Sequence, residues 1–158
     1  MNAGRIFLSL DTCVKAVILA MVFIMTISGF LQVWSRYVMH SALPWSEELI
    51  RYCFIWTTFL SVPVCIREAR HARIDLISGR LTGSVKTVYE IAVLIIQVSI
   101  FLIMIWYGWK FAVKNWVQFS PAMRIPMFYV VLSIPVSGVL GTIYSCVHIA
   151  GHVKGENI

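Results

Sequence analysis

The sequence predicts an all-α integral membrane protein: a bundle of four transmembrane helices with short interfacial amphipathic helices and both termini in the cytoplasm. Three observations lead there. Apolar side chains make up 59% of the 158 residues and charged ones only 13%, with a mean hydropathy of +0.83, far from the average of soluble domains. The remaining charges are clustered, and the stretches between clusters are long enough to cross the ~30 Å hydrocarbon core of a bilayer. Lysine and arginine are also shared unequally between the loops of the two sides, which sets orientation.

The elements follow in chain order. Residues 16–35 form an uncharged run of twenty, about 30 Å as a helix at roughly 1.5 Å per residue. Arg5 and Lys15 precede it as in a signal peptide. The run is long and lacks an A-x-A-like cleavage site, so the sequence predicts a retained anchor. The second span is uncharged only over 52–66, fifteen residues, about 22 Å and short of the core. Pro44 offers a natural first helical position, and Glu47 and Glu48 suit a helix N-terminus, so the expected span is 44–66. The third uncharged run, 91–109, predicts a span over 87–109. The fourth, 125–153, has twenty-nine residues and predicts a tilted span over 125–149. No internal repeat, low-complexity tract or soluble domain is visible, and residues 1–158 read as one membrane domain.

Basic residues fix the expected orientation. The N-terminus, the loop between the second and third spans, and the C-terminus carry eight (Arg5, Lys15, Arg67, Arg70, Arg73, Arg80, Lys86, Lys154) against five on the other side (Arg36, Arg51, Lys110, Lys114, Arg124). The side richer in lysine and arginine is cytoplasmic. Trp34, Trp45, Trp106, Trp109 and Trp116 all fall at the opposite, external end, where indole rings prefer the interface; Trp56 alone lies within a span. Topology thus accounts for the net charge of +6 without a nucleic-acid partner.

A machine that moves ions or solutes needs ionisable groups inside the bilayer, and the uncharged runs hold almost none. Gln32 and Gln97 are the deepest strongly polar side chains and read as packing contacts between helices. A small four-helix multidrug exporter would need a membrane-embedded acid in its first helix, which here reads as chargeless. A haem or quinone electron-transfer anchor would need facing histidines. His40 and His71 lie near span ends on opposite sides, while His148 and His152 share one face of one helix. A thiol-oxidising quinone enzyme would want paired cysteines in external loops, but Cys13, Cys53, Cys65 and Cys146 are scattered singly and read as small core residues. No catalytic residue, cofactor site or metal site is predicted.

The informative polar material sits at helix ends. Trp45, Glu47, Glu48 and Arg51 open the second helix, and Glu47 reaches Arg51 at i, i+4 spacing. This turn lies near the membrane boundary, either capping its helix and snorkelling or meeting a partner subunit. On the cytoplasmic side His71 and Asp75 are four apart and able to pair. Ile74, Ile77 and Leu81 form an apolar stripe that fits a short interfacial helix, with Gly79 inside it. Lys110 and Lys114 share one stripe with Gln118, opposite Trp109, Ala112, Val113, Trp116 and Val117. That amphipathic segment either extends the third helix or lies along the interface, touching lipid or a soluble external partner. In the fourth span Ser133, Ser137, Gly141 and Ser145 form a small-residue ridge for close helix approach, facing the first helix or a partner subunit, and Pro135 should bend it.

The pattern Pro44-Trp45-x-Glu47-Glu48-x-x-Arg51, a hydrophobic span, then His71-x-x-x-Asp75-Leu76 resembles the small, Q-type membrane subunit of tripartite ATP-independent periplasmic (TRAP) transporters. Arg70 departs from the glycine that members of that family often carry. The resemblance implies a three-part system: a periplasmic substrate-binding protein that captures an organic acid, a large membrane subunit that moves it with sodium, and this small subunit. It implies a non-enzymatic role in the bacterial inner membrane, scaffolding the large subunit and helping to dock the binding protein. Trp45, Glu47, Glu48 and Arg51 are then candidates for the external contact. His71 and Asp75 would order the cytoplasmic connection. Substrates of the family are carboxylates such as dicarboxylates and sialic acids, and no residue here selects among them.

Overall fold

A computed structural model describes the backbone of residues 2–41, 43–77 and 84–154. Its elements are α1 (Asn2–Tyr37), α2 (Pro44–Ile77), α3 (Ser84–Lys114), one 3₁₀ turn (Asn115–Val117), α4 (Phe128–Val131) and α5 (Ser133–Lys154). Among the described residues four helical stretches are long and apolar enough to cross a membrane: Ser9–Tyr37, Pro44–Ile66, Ala92–Val117 and Phe128–Cys146.

The first three helices outrun the apolar stretches, because a bilayer selects where charge ends while helix propensity continues into the interface. The first span therefore includes Asp11 and Lys15, which corrects the expectation of a chargeless first helix. Likewise α2 continues to Ile77, so the stripe through Ile74 and Ile77 prolongs the second helix and does not begin a separate one. Leu81 and Gly79 lie outside the described residues. The third helix runs unbroken to Lys114 and ends in the 3₁₀ turn, which resolves the amphipathic segment as an extension of that helix.

The four spans form a row. α1 packs on α2, α2 on α5, and α5 on α3, so the second and fourth spans lie inside and the first and third at the edges. Burial agrees: 28% and 44% of the inner spans' apolar windows are covered, against 6% and 11% for the edge spans. Apolar therefore does not mean enclosed here. Of the four cysteines only Cys53 is buried, while Cys13, Cys65 and Cys146 are exposed. This corrects their reading as core residues, since a side chain facing lipid is as apolar as one facing protein.

Two prolines shape the inner helices. Pro63 lies inside α2 and has no N–H to donate to the carbonyl of Phe59; the hydroxyl of Ser137 donates to that carbonyl instead. Pro135 does not bend α5 in its middle but stands in its first turn, where the lost bond separates α4 from α5 at Leu132. Trp56, the indole within a span, donates to the carbonyl of Tyr129 at 3.1 Å beside this break.

The small-residue ridge faces inward. Ser133, Ser137 and Ser145 are 0%, 0% and 1% exposed, and Gly141 is buried too. Their neighbours are α2 and α3, whereas sequence had offered the first helix or a partner subunit. Ser137 meets Phe59 of α2, a methyl group at Gly141 would fall 2.3 Å from the Phe101 ring of α3, and Gln97 of α3 donates to Ser145 Oγ at 3.1 Å. Phe101, 1% exposed, fills the space that only glycine leaves.

Candidate functional site

The chain termini share one end of the row, where Asp11 of α1 meets Tyr144 of α5. At the opposite end the start of α2 meets the connection between α3 and α4, and the motif residues of α2 gather there. Pro44 is the first residue of α2. The Ser46 hydroxyl donates to the carbonyl of Leu43 at 2.8 Å and the Ser46 N–H to the same oxygen at 3.2 Å, closing the entry turn with Ser46 fully buried. Glu47 sits in the first turn, where the helix dipole favours an anion.

From this turn the two glutamates diverge, because successive residues on a helix point about 100° apart. Glu47 faces outward, its Oε1 3.7 Å from Arg51 Nη2 with both side chains about two-thirds exposed; such a pair stabilises little and stays available. Glu48 turns inward and is 7% exposed. Its Oε1 accepts the N–H of Ala122 and its Oε2 the N–H of Met123, each at 2.9 Å. One carboxylate thus holds two successive backbone donors of the distant connection, an arrangement that charge-assisted bonds favour.

The connection is itself built tightly. Phe119 pairs with Pro126, the Ser120 N–H donates to the Ile125 carbonyl at 3.0 Å, and the Met127 N–H donates to that of Gln118 at 2.8 Å. The Ser120 hydroxyl also accepts the Ile125 N–H at 3.2 Å. At the tip Arg124 adopts φ 53°, a left-handed backbone that non-glycine residues seldom take. Between α2 and this loop lies an open depression of about 540 Å³, lined by Pro44, Trp45, Glu47 and Arg51 on one side and Pro121 and Ala122 on the other.

Lys110 and Lys114 stand apart from the depression on α3, both exposed. The Lys110 ammonium lies 4.7 Å from the centroid of the Trp106 ring, one helical turn back. Beyond them Trp116 and Trp109 meet Phe128 edge-on, with centroids 4.7 and 6.3 Å apart. Trp106, Trp109 and Trp116 are each more than half exposed, as an interfacial girdle requires. The backbone of His71 and Asp75 lies in α2; their side chains, and the predicted pairing between them, are outside the described residues.

Sequence reasoning missed a second polar cluster at the terminal end. Lys15 Nζ lies 2.6 Å from Glu68 Oε1 and 3.3 Å from Asp11 Oδ2, and the Tyr144 hydroxyl is 3.5 Å from Asp11 Oδ1. Asp11 is 7% exposed, so one buried carboxylate ties α1 to α5 while Lys15 ties α1 to α2. The i, i+4 spacing of Asp11 and Lys15 was the available signal. Counting Lys15 only as a topological charge concealed it. Among the described residues no group of three or more His, Cys, Asp or Glu side chains converges as a metal site would.

Comparison with known proteins gives the geometry its context. The family model described as "Tripartite ATP-independent periplasmic transporters, DctQ component" matches residues 25–155. The isethionate TRAP transporter permease protein DctMQ of Oleidesulfovibrio alaskensis is 29% identical over 140 residues, 86% of this chain but 22% of that protein. The sialic acid TRAP transporter permease protein SiaT of Haemophilus influenzae is 35% identical over 72 residues, 45% of this chain and 12% of that protein. A putative TRAP transporter small permease protein of the same species is 24% identical over 117 residues, 74% of this chain and 73% of that one. The chain thus spans about a fifth and about an eighth of the first two relatives.

Proposed function

The chain belongs to the DctQ component family of TRAP transporters, and from that premise we propose that it is the small permease subunit of a sodium-coupled transporter for organic acid (carboxylate) uptake. The family makes it a multi-pass protein of the bacterial inner membrane and a transporter subunit, not an enzyme. Its proposed work is to scaffold a large membrane subunit and to help dock a periplasmic substrate-binding protein.

The open row carries this reading. A solute path needs a polar interior that several helices enclose, whereas here Ser137 and Ser145 of α5 are engaged by α2 and α3 and the edge helices leave broad apolar faces uncovered. Leu19, Phe23 and Phe30 of α1 are 71%, 66% and 72% exposed, an apolar area suited to a second membrane protein as well as to lipid. The isethionate relative supports such a neighbour, since a segment like this chain is continuous there with a far longer polypeptide.

In this reading the termini face the cytoplasm and the end bearing Trp45, Glu47 and Arg51 faces outward, as the basic residues and the tryptophans indicate. Lys110 and Lys114 would flank that face, and His71 and Asp75 would lie on the cytoplasmic side. The relatives' names, isethionate and sialic acid, both denote organic anions. The test is affinity capture of the chain from its native membranes: a much larger polytopic protein should co-elute in stoichiometric amount. Recovery of the chain alone, or only with copies of itself, contradicts the proposal.

A further inference from the structure

We infer that Glu48 acts within the chain, as a clamp that fixes the 118–127 connection against α2 and so positions the outward face formed by Trp45, Arg51 and Pro121. The inference rests on the outward orientation proposed above only for its functional consequence; the clamp itself stands on geometry.

Glu47 and Glu48 are neighbours of identical chemistry with opposite surroundings. The carboxylate of Glu47 is exposed beside Arg51, whereas both oxygens of Glu48 are taken by backbone N–H groups 74 and 75 residues away. A buried carboxylate without donors is costly, and a backbone N–H group gains by an acceptor wherever water is kept from it. Each therefore satisfies the other. Pro121 precedes the two donors and restricts the backbone that presents them.

The loop needs such a fastening. Arg124 holds a left-handed conformation that an arginine does not choose, and the bonds from Ser120 to Ile125 and from Gln118 to Met127 close the loop only upon itself. The two bonds to Glu48 join its tip to the helix that carries Trp45 and Arg51. Without them the depression between α2 and Pro121 loses one wall. Glu48 is thus a positioning residue for the outward face, and Glu47 and Arg51 are the charges that the face presents.

Hydrogen exchange of the full chain in lipid nanodiscs tests the clamp. The Glu48→Gln variant should raise exchange of the 118–127 peptide at least tenfold while peptides from α1, α3 and α5 stay as protected as before, and Glu47→Gln should leave the loop unchanged. If Glu48→Gln fails to fold, Ala122→Pro tests the same bond from the loop side, since it deletes one donor and keeps the carboxylate. If both variants fold, their effects on the loop should be less than additive. Loop exchange unchanged in either variant, or raised equally by Glu47→Gln, overturns the clamp. Capture of the binding protein by the assembled permease is read separately. Faster loop exchange with capture intact keeps the clamp and removes the docking role from the proposed function; faster exchange with capture lost supports both.

Discussion

Single hydroxyls and single missing atoms decide how the inner helices meet. Pro63 frees the Phe59 carbonyl and Ser137 supplies the donor, so Ser137→Ala should lower stability by about 1 kcal/mol, as for hydrogen bonds between membrane helices. In a Pro63→Ala background the helix regains its own donor, and the same change should be near neutral; thermal unfolding in detergent reads both. At Gly141 an added methyl would fall 2.3 Å from the Phe101 ring. Gly141→Ala should therefore cost about 1–3 kcal/mol by overpacking, part of it recovered with Phe101→Leu. The ridge Ser133, Ser137, Gly141 and Ser145 was legible in the sequence as spacing. Its neighbours were not, because small residues every fourth position mark a close approach without saying to what. Trp45, Glu47, Glu48 and Arg51 were legible as a group at one helix entrance, but sequence could not separate an exposed glutamate from a buried one beside it. That difference depends on residues 122 and 123, far along the chain.

At the level of the helix, attachment follows position in the row. α1 is an edge helix packed on α2, and the Asp11, Lys15, Glu68 and Tyr144 cluster secures its terminal end. Asp11 is buried and serves two partners, whereas the Glu68 side chain is 60% exposed and screened by solvent. Asp11→Ala should therefore lower the melting temperature clearly and raise hydrogen exchange in the N-terminal third of α1, while Glu68→Ala should change either little. Equal effects of the two would show that the exposed pair, not the buried carboxylate, holds the helix. Runs without charge located all four spans, because hydrocarbon excludes charge wherever a chain crosses it. They understated the first three helices, since Asp11, Lys15 and the residues up to Ile77 are helical outside the uncharged runs, whereas the fourth run begins three residues before α4. The break at Leu132 was hidden for a related reason: Pro135 announces a lost bond, but whether it bends or divides a helix depends on the packing around it.

For the whole molecule, the four helices form an open row whose inner spans are better covered than its edges, which leaves the edge faces to meet lipid or a neighbouring membrane protein. The order of spans in space, first, second, fourth, third, could not be read from hydropathy, which reports depth in the membrane and not which helix stands beside which. Exclusion of charge from the uncharged runs could be read, and it bears on the proposed scaffold role: Trp56, Ser137 and Ser145 of the inner spans each bond to another element of the chain. If this subunit lends support and docking rather than a solute path, its contribution should vanish when it is alone. The most direct measurement is solute accumulation in proteoliposomes under a sodium gradient, with the external binding protein and its organic acid supplied. Vesicles holding this chain together with the large membrane subunit should concentrate the acid, and vesicles holding this chain alone should stay at background. Accumulation against a gradient by the chain alone would contradict the account.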